Sequence, residues 1–214
     1  PYATHLYNAT NAVTGNIINT QGALIQHLHD AGITGKGVKI GMLDYQFSEY
    51  NGLTYAGGKG SYITSPVSTT ITEHGTTMSS IIGEKPNGYQ GLVKPNGIVG
   101  IAYEAELYAI PLTDGVSDIQ WAIDNGMDII NIPWSLGSNS NLTAKIQEAI
   151  QRGIYVNVAA GNGSYASTLS SITFPAAVRG VFAVTGRSGG LVFAEDSVRI
   201  YSNVLPSSIT GVSK

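Results

Sequence analysis

The stretch EHGTTMSSIIG, residues 73–83, combines a histidine with the pattern of a core helix. Three apolar residues recur in it at i, i+3 and i+4: Met78, Ile81 and Ile82. This spacing predicts a helix that buries them, and Gly83 stands where a glycine commonly caps a helix. An imidazole on the first turn is held rigidly and changes protonation near neutral pH. The stretch therefore predicts a buried helix that presents His74 for acid–base chemistry.

The composition excludes several classes of function. The 214 residues carry only 12% charged side chains and a net charge of -3. Without a basic stretch to neutralise phosphates, nucleic acid is not an expected partner. The chain has no apolar run long enough to span a bilayer and no cysteine, which removes disulfides and thiolate chemistry. We expect one domain over residues 1–214, with residues 1–21 as an N-terminal surface arm.

Short apolar strands alternate with helices along the chain. The predicted strands cover residues 38–43, 107–110, 128–132, 154–160 and 181–185. Further helices are predicted at residues 23–28, 119–123 and 141–152, the last with Asn141 as N-cap, Gly153 as its stop and Ile146, Ala149 and Ile150 facing inward. Residues 45–73 are predicted to be loop or edge structure. The alternation indicates an α/β fold, doubly wound, with a mainly parallel sheet and helices on both faces.

Polar residues stand at the ends of three predicted strands. Asp44 follows the first strand, Pro133-Trp134-Ser135 follows a second, and Gly161-Asn162-Gly163 follows a third. In parallel sheets, functional groups gather beyond the carboxyl ends of the strands. Taken alone, Asp44 and Asn162 are also ordinary turn residues. Together with His74 they predict a cleft at one edge of the sheet.

An Asp, a His, an Asn and a Ser can together carry out acyl transfer. The Ser attacks a carbonyl, and the His takes its proton and returns it to the leaving amine. The Asp fixes the imidazole tautomer, while donors such as an Asn amide stabilise the oxyanion.

The motifs, in their order along the chain, resemble those of the subtilisin-like serine proteases, or subtilases, from about Ala23 to the last residue. Residues 74–76 look like the family's histidine motif, and residues 159–163 are similar to its oxyanion motif. Residues 135–137 resemble the strand end that lines the substrate cleft, and residues 174–176 match the stretch after the oxyanion motif.

The resemblance implies a serine endopeptidase that acts on proteins or peptides. Its catalytic residues would be Asp44, His74, Ser213 and Asn162, and its substrate-binding residues Ser135, Leu136, Gly137 and Gly161. Ser213 is assigned because Gly211-Val212-Ser213 is similar to the family's Gly-Thr-Ser nucleophile motif. The alternative is that Ser213 is one more serine in a frayed tail.

In the family, a long buried helix follows the nucleophile, whereas this sequence ends at Lys214. We therefore expect that the C-terminal helix portion of the catalytic domain is missing. This missing C-terminal part of the same chain is then an expected partner of residues 1–214. A surface rich in Tyr, Ser, Thr and Asn and poor in Lys and Glu favours a secreted protein with an extracellular or cell-surface location, and we expect that no cofactor is required. Structural calcium is common in the family, but Glu84, Asn87 and Asn96 offer only one carboxylate in one loop, so no metal site is predicted.

Several residues depart from the family pattern. Tyr45-Gln46 follows Asp44 in place of a small hydroxyl residue and Gly, and Pro133-Trp134 precedes the cleft segment. Only residues 111–118 separate the second predicted strand from its helix, which shortens a wall that usually holds substrate. These changes indicate narrowed specificity. They also leave open a rival function, a non-catalytic structural or protein-binding module.

Overall fold

The computed structural model of the chain describes residues 25, 27–50, 52–63, 73–86, 99–161 and 172–184. The chain divides into two compact units, Pro1–Ile130 and Asn131–Lys214. The prediction of a single domain stays a prediction. Among the described residues, no helix combines the length and apolarity needed to cross a membrane.

In the described part of the first unit, the main elements are three parallel strands and two helices. The strands are β1 (Lys39–Asp44), β2 (Gly57–Gly58) and β3 (Glu106–Pro111), and the helices are α1 (His74–Gly83) and α2 (Val116–Asp124). β3 lies between β2 and β1, and its last residue, Pro111, is in register with Asp44. β2 is the edge strand, in agreement with the prediction of loop or edge structure there.

Strand β4 (Ile129–Ile132) carries the chain into the second unit. That unit contains α3 (Ser140–Gln151), β5 (Tyr155–Ala159) and β6 (Phe182–Val184), and β5 and β6 run parallel. Hydrogen bonds order the strands β2-β3-β1-β4-β5-β6 in a six-stranded sheet. The predicted parallel α/β fold is confirmed.

The core of the first unit lies where β1 and β3 meet the segment after β1. Met42 and Ala109 are completely buried, and so is Phe47, whose ring meets that of Tyr55 edge-on at 5.5 Å. Burying a side chain of this size stabilises the fold by about 1.5–3 kcal/mol. The end of β1 is therefore packed into this core, and its last residue, Asp44, is held in place with it.

Helix α1 buries its small residues more completely than the apolar residues of its predicted face. Its buried residues are small or carry hydroxyls: Gly75, Thr76, Ser79, Ser80 and Gly83. Met78, Ile81 and Ile82 are half-buried, and Met78 and Ile82 pack against the core, so the prediction that these residues are buried is confirmed only in part. Small side chains allow a helix to approach its neighbours more closely than Met or Ile would. A Cβ on Gly83, for example, would lie 2.7 Å from Leu107 Cδ1. Gly83 is thus needed for this close approach, and it is not the left-handed cap that we expected.

Helix α3 begins one residue earlier than predicted. Its N-cap is Asn139, whose side chain accepts the N–H groups of Asn141 and Leu142 at 2.8 and 3.4 Å. The prediction of Asn141 as N-cap is therefore wrong by two residues, because the side chain of Asn139 accepts the free N–H groups of the first turn and Asn141 already lies within the helix. The predicted stop is confirmed, since the helix ends at Gln151 and Gly153 has a φ of 87°. Ile146 and Ala149 are buried as expected, whereas Ile150 is half-buried.

Candidate active site

Asp44 and His74 form a hydrogen-bonded pair in the first unit. Asp44 is completely buried at the end of β1, and its Oδ2 lies 2.7 Å from Nδ1 of His74, the first residue of α1. The other carboxylate oxygen, Oδ1, accepts the N–H of Tyr45 at 2.7 Å. The His74 side chain remains 45% exposed. A carboxylate that accepts the Nδ1 proton fixes the tautomer in which Nε2 can act as a base.

The start of α1 is seated directly on the segment that follows Asp44. A Cβ on Gly75 would lie 2.4 Å from the carbonyl oxygen of Gln46 and 3.0 Å from Cβ of Asp44. One residue further on, Oγ1 of Thr76 accepts the buried N–H of Ser48 at 2.8 Å. These contacts therefore join the same two segments as the bond between the imidazole and its carboxylate.

The other end of α1 is held by a buried carboxyl group. Glu84, only 1% exposed, caps the helix and accepts the hydroxyl of Tyr50 at 2.7 Å. Burial raises the pKa of Glu84 even though the hydrogen bond from Tyr50 acts to lower it. Burial and the neighbouring Glu84 also raise the pKa of Tyr50. Burial of Glu84 thus disfavours the charged form of its carboxyl group.

A buried ion pair shapes the loop between β3 and α2. Asp118 accepts the backbone N–H groups of Thr113, Asp114 and Gly115 at 2.8, 3.2 and 2.8 Å, and it pairs with Lys59. Burial by itself would raise the pKa of Asp118, but hydrogen bonds from Lys59 and Thr113 hold that pKa below its ordinary value. The loop also starts beside the candidate site, since the N–H of Leu112 donates to the carbonyl oxygen of Asp44 at 2.8 Å. The shortened wall is therefore a tightly bonded loop.

In the second unit, the predicted cleft segment is tied to residues 173 and 174. Oγ of exposed Ser135 lies 2.7 Å from Oγ1 of Thr173, and the N–H of half-buried Leu136 donates to the carbonyl oxygen of Phe174 at 2.8 Å. Gly137 is exposed, and a Cβ on it would meet nothing within 4 Å.

The residue before the predicted oxyanion donor is also positioned in the second unit. Gly161 has a φ of 100°, a conformation that favours glycine. The carbonyl oxygen of the preceding residue, Ala160, accepts both the N–H and the hydroxyl of Thr173 at 3.1 Å. Thr173 therefore joins the Ser135 segment to the end of β5, a role that its sequence context did not reveal.

Several predicted residues lie outside the described part of the chain. They are Asn87, Asn96, Asn162 and Ser213. Of the four predicted catalytic residues, the structure thus describes Asp44 and His74 and brings them together. Over the described ranges, no group of three or more His, Asp or Glu residues is arranged to hold a metal ion.

Three residues that organise the site had no clear signal in the sequence: Ser48, Lys59 and Asp118. Asp118 offered the only local hint, because an acidic residue three positions after a helix cap is typical of a capping box. The partners of the others lie far away in sequence.

Solved structures support the fold. The structure of the prenylagaramide maturation protease PagA aligns with a TM-score of 0.62 at 19% identity, covering 85% of this chain and 63% of that one. The protease domain of PatA aligns with a TM-score of 0.61 at 20% identity, covering 81% and 64%. At this level of identity the likeness shows the architecture only.

Sequence relatives carry more specific information. The chain is 34% identical over 179 residues to the minor extracellular protease Epr of Bacillus subtilis (strain 168), covering 78% of this chain and 26% of the relative. It is 33% identical over 168 residues to subtilisin BL of Lederbergia lenta, covering 73% and 58%. The chain thus spans about a quarter of the first relative and just over half of the second. The sequence profile of the Subtilase family matches residues 35–210. The chain therefore belongs to the subtilase family.

Proposed function

We propose that this chain is the catalytic part of a serine endopeptidase that cleaves proteins or peptides through an acyl-enzyme. The observation that carries the proposal is the 2.7 Å hydrogen bond between buried Asp44 and half-exposed His74. A lone surface histidine has no need of a fully buried carboxylate partner. A histidine that must accept a proton does, because the partner stabilises the imidazolium that forms.

In the proposed mechanism, Ser213 attacks the carbonyl carbon of the scissile bond while its hydroxyl proton passes to Nε2 of His74. The amide of Asn162 stabilises the oxyanion that develops. When the carbon–nitrogen bond breaks, His74 returns the proton to the leaving amine. Water then hydrolyses the ester by the same route in reverse. Asp44 keeps its charge throughout and holds the imidazole in position.

The remaining roles are also proposals. Ser135, Leu136, Gly137 and Gly161 would contact the substrate backbone, a role supported by the bonds that fix their segments in the second unit. We propose that the chemistry needs no cofactor, because the three side chains supply the nucleophile, the base and its partner. One relative is named an extracellular protease, and we propose the same location for this protein.

The test is labelling of the full-length natural protein with a fluorophosphonate, followed by intact-mass and peptide mass spectrometry. A single adduct on Ser213 is expected, because the probe forms a covalent bond only with an activated serine. The adduct should disappear in His74→Ala and weaken strongly in Asp44→Asn, which leaves the imidazole in the wrong tautomer.

A matched control is His29→Ala. His29 is a described, half-buried histidine, and its Nε2 contacts the carbonyl oxygen of Ile101 at 2.8 Å. Its loss should leave labelling unchanged. An unlabelled but folded protein, or an adduct on a serine other than Ser213, would contradict the proposal as stated.

A further inference from the structure

Two hydrogen bonds fasten the segment after β1 to the first turn of α1. The first joins Asp44 to His74 at 2.7 Å, and the second carries the N–H of Ser48 to Oγ1 of Thr76 at 2.8 Å. The residues within each segment are close neighbours, four apart in one and two apart in the other. Gly75 lies between the two bonds, where any side chain would strike the segment. The two contacts therefore share one rigid interface.

The second bond is buried at both ends. Thr76 is completely buried and Ser48 is 5% exposed. A buried backbone N–H that loses its acceptor is costly, and no water can replace the acceptor without opening the interface. Loss of the Thr76 hydroxyl should therefore push the two segments apart instead of leaving them in place.

We propose that Thr76 is a positioning residue, whose buried hydroxyl sets the distance between His74 and Asp44 by holding the backbone at Ser48. Its hydroxyl accepts the backbone N–H of Ser48. It acts through the first turn of α1, since any shift of that turn away from the segment also lengthens the bond from the imidazole to the carboxylate. The consequence for turnover rests on the proposed function, whereas the consequence for the His74–Asp44 bond does not.

The test is a graded series at one position, read by proton NMR of the His74 Nδ1–H in the natural protein. Thr76→Ser keeps the oxygen acceptor, Thr76→Cys offers only a weak sulfur acceptor, and Thr76→Val keeps the shape but removes the acceptor. The downfield resonance of a proton held by a carboxylate should stay in place in the Ser variant. In the Cys variant the resonance should shift upfield and the proton should exchange faster with solvent. Both effects should be largest in the Val variant.

Thr77→Val is the matched control. Its hydroxyl also bonds, to the carbonyl oxygen of Glu73 at 3.0 Å, but this bond lies within the same turn and does not reach the segment after β1. The His74 Nδ1–H resonance of Thr77→Val should match that of the wild type. If Thr76→Val does not fold, the Cys variant carries the test. A native His74 resonance in a folded Cys or Val variant would overturn the proposal, and so would an equal shift in Thr77→Val.

Turnover gives a second, separable readout. A misplacement of about 1 Å can cost about 100-fold in rate. We expect kcat to fall by roughly 10-fold to 100-fold in Thr76→Val, with KM little changed and the Ser variant restoring the rate. If the wild-type protein shows no turnover at all, the proposed function fails, while the NMR series still decides the role of Thr76.

Discussion

Substituting Gly75 with Ala tests whether the site depends on close approach of α1. The backbone of Gly75 is not left-handed, so alanine meets no strain from its φ angle. The added Cβ, however, would lie 2.4 Å from the Gln46 carbonyl oxygen, 2.9 Å from Phe47 Cε1 and 3.0 Å from Asp44 Cβ. Carbon atoms normally approach other heavy atoms to about 3.5 Å. The first turn must therefore move outward by about 1 Å.

That movement has a calculable cost. The bond between Asp44 and His74 would lengthen from 2.7 Å beyond the limit for a hydrogen bond. Overpacking costs about 1–3 kcal/mol and a lost bond to a charged group about 1.5–3 kcal/mol. The better helix propensity of alanine returns about 1 kcal/mol. We expect the free energy of unfolding to fall by about 1.5–5 kcal/mol, and the rate of peptide hydrolysis to fall about 100-fold.

Urea unfolding followed by circular dichroism measures the first quantity, and hydrolysis of a peptide substrate measures the second. Gly83→Ala is the control, because its Cβ would also be crowded, at 2.7 Å from Leu107 Cδ1, but by a side chain that can move. It should cost less stability and leave the hydrolysis rate of the folded protein unchanged. The reasoning is refuted if Gly75→Ala keeps native stability and rate, or if the two variants lose activity equally.

Three further contacts are open to test by urea unfolding. Burial raises the pKa of Glu84, so its unfolded carboxyl group ionises first as the pH rises above 4.5. Relative to Glu84→Gln, the native protein should therefore be less stable at pH 8 than at pH 4, and a constant difference would contradict this. Asp118→Asn should cost about 3 kcal/mol at pH 7, a low value for a buried pair because Lys59 is partly exposed. Because the pKa of Asp118 is lowered in the folded protein, the wild type should be more stable than Asp118→Asn above pH 3.8, and this difference in the free energy of unfolding should shrink as the pH falls below that value. A difference that stays the same in acid would argue against the ion pair. Asn139→Ala should cost about 1 kcal/mol and Asn141→Ala less than about 0.5 kcal/mol, whereas equal losses would contradict the cap assignment.

The parallel fold and the pair at its edge could be predicted from the sequence for a physical reason. Strands buried on both faces appear as continuous apolar runs, and Asp44 directly follows one of them. The buried face of α1 could not be predicted in this way. Apolar periodicity points to Met78 and Ile82, but the helix turns its small residues inward because they allow the closest approach.

Long-range hydrogen bonds explain the other omissions. The Ser48–Thr76 bond spans 28 residues of sequence and the Lys59–Asp118 pair spans 59. Neither partner has a local pattern that points to the other, since serine, threonine and lysine are common on any surface. Such contacts become visible only when the sheet has brought the segments together.

The location of the Asp44–His74 pair within a single unit has an evolutionary consequence. The Asp44–His74 bond and the neighbouring contacts of Gly75 and Thr76 belong to the first unit, whereas the proposed substrate-binding segments belong to the second. Under the proposed function, mutations in the second unit can then change substrate choice while the contacts that hold His74 in the first unit stay the same. Directed evolution of new cleavage preferences should therefore begin with libraries at Ser135–Gly137.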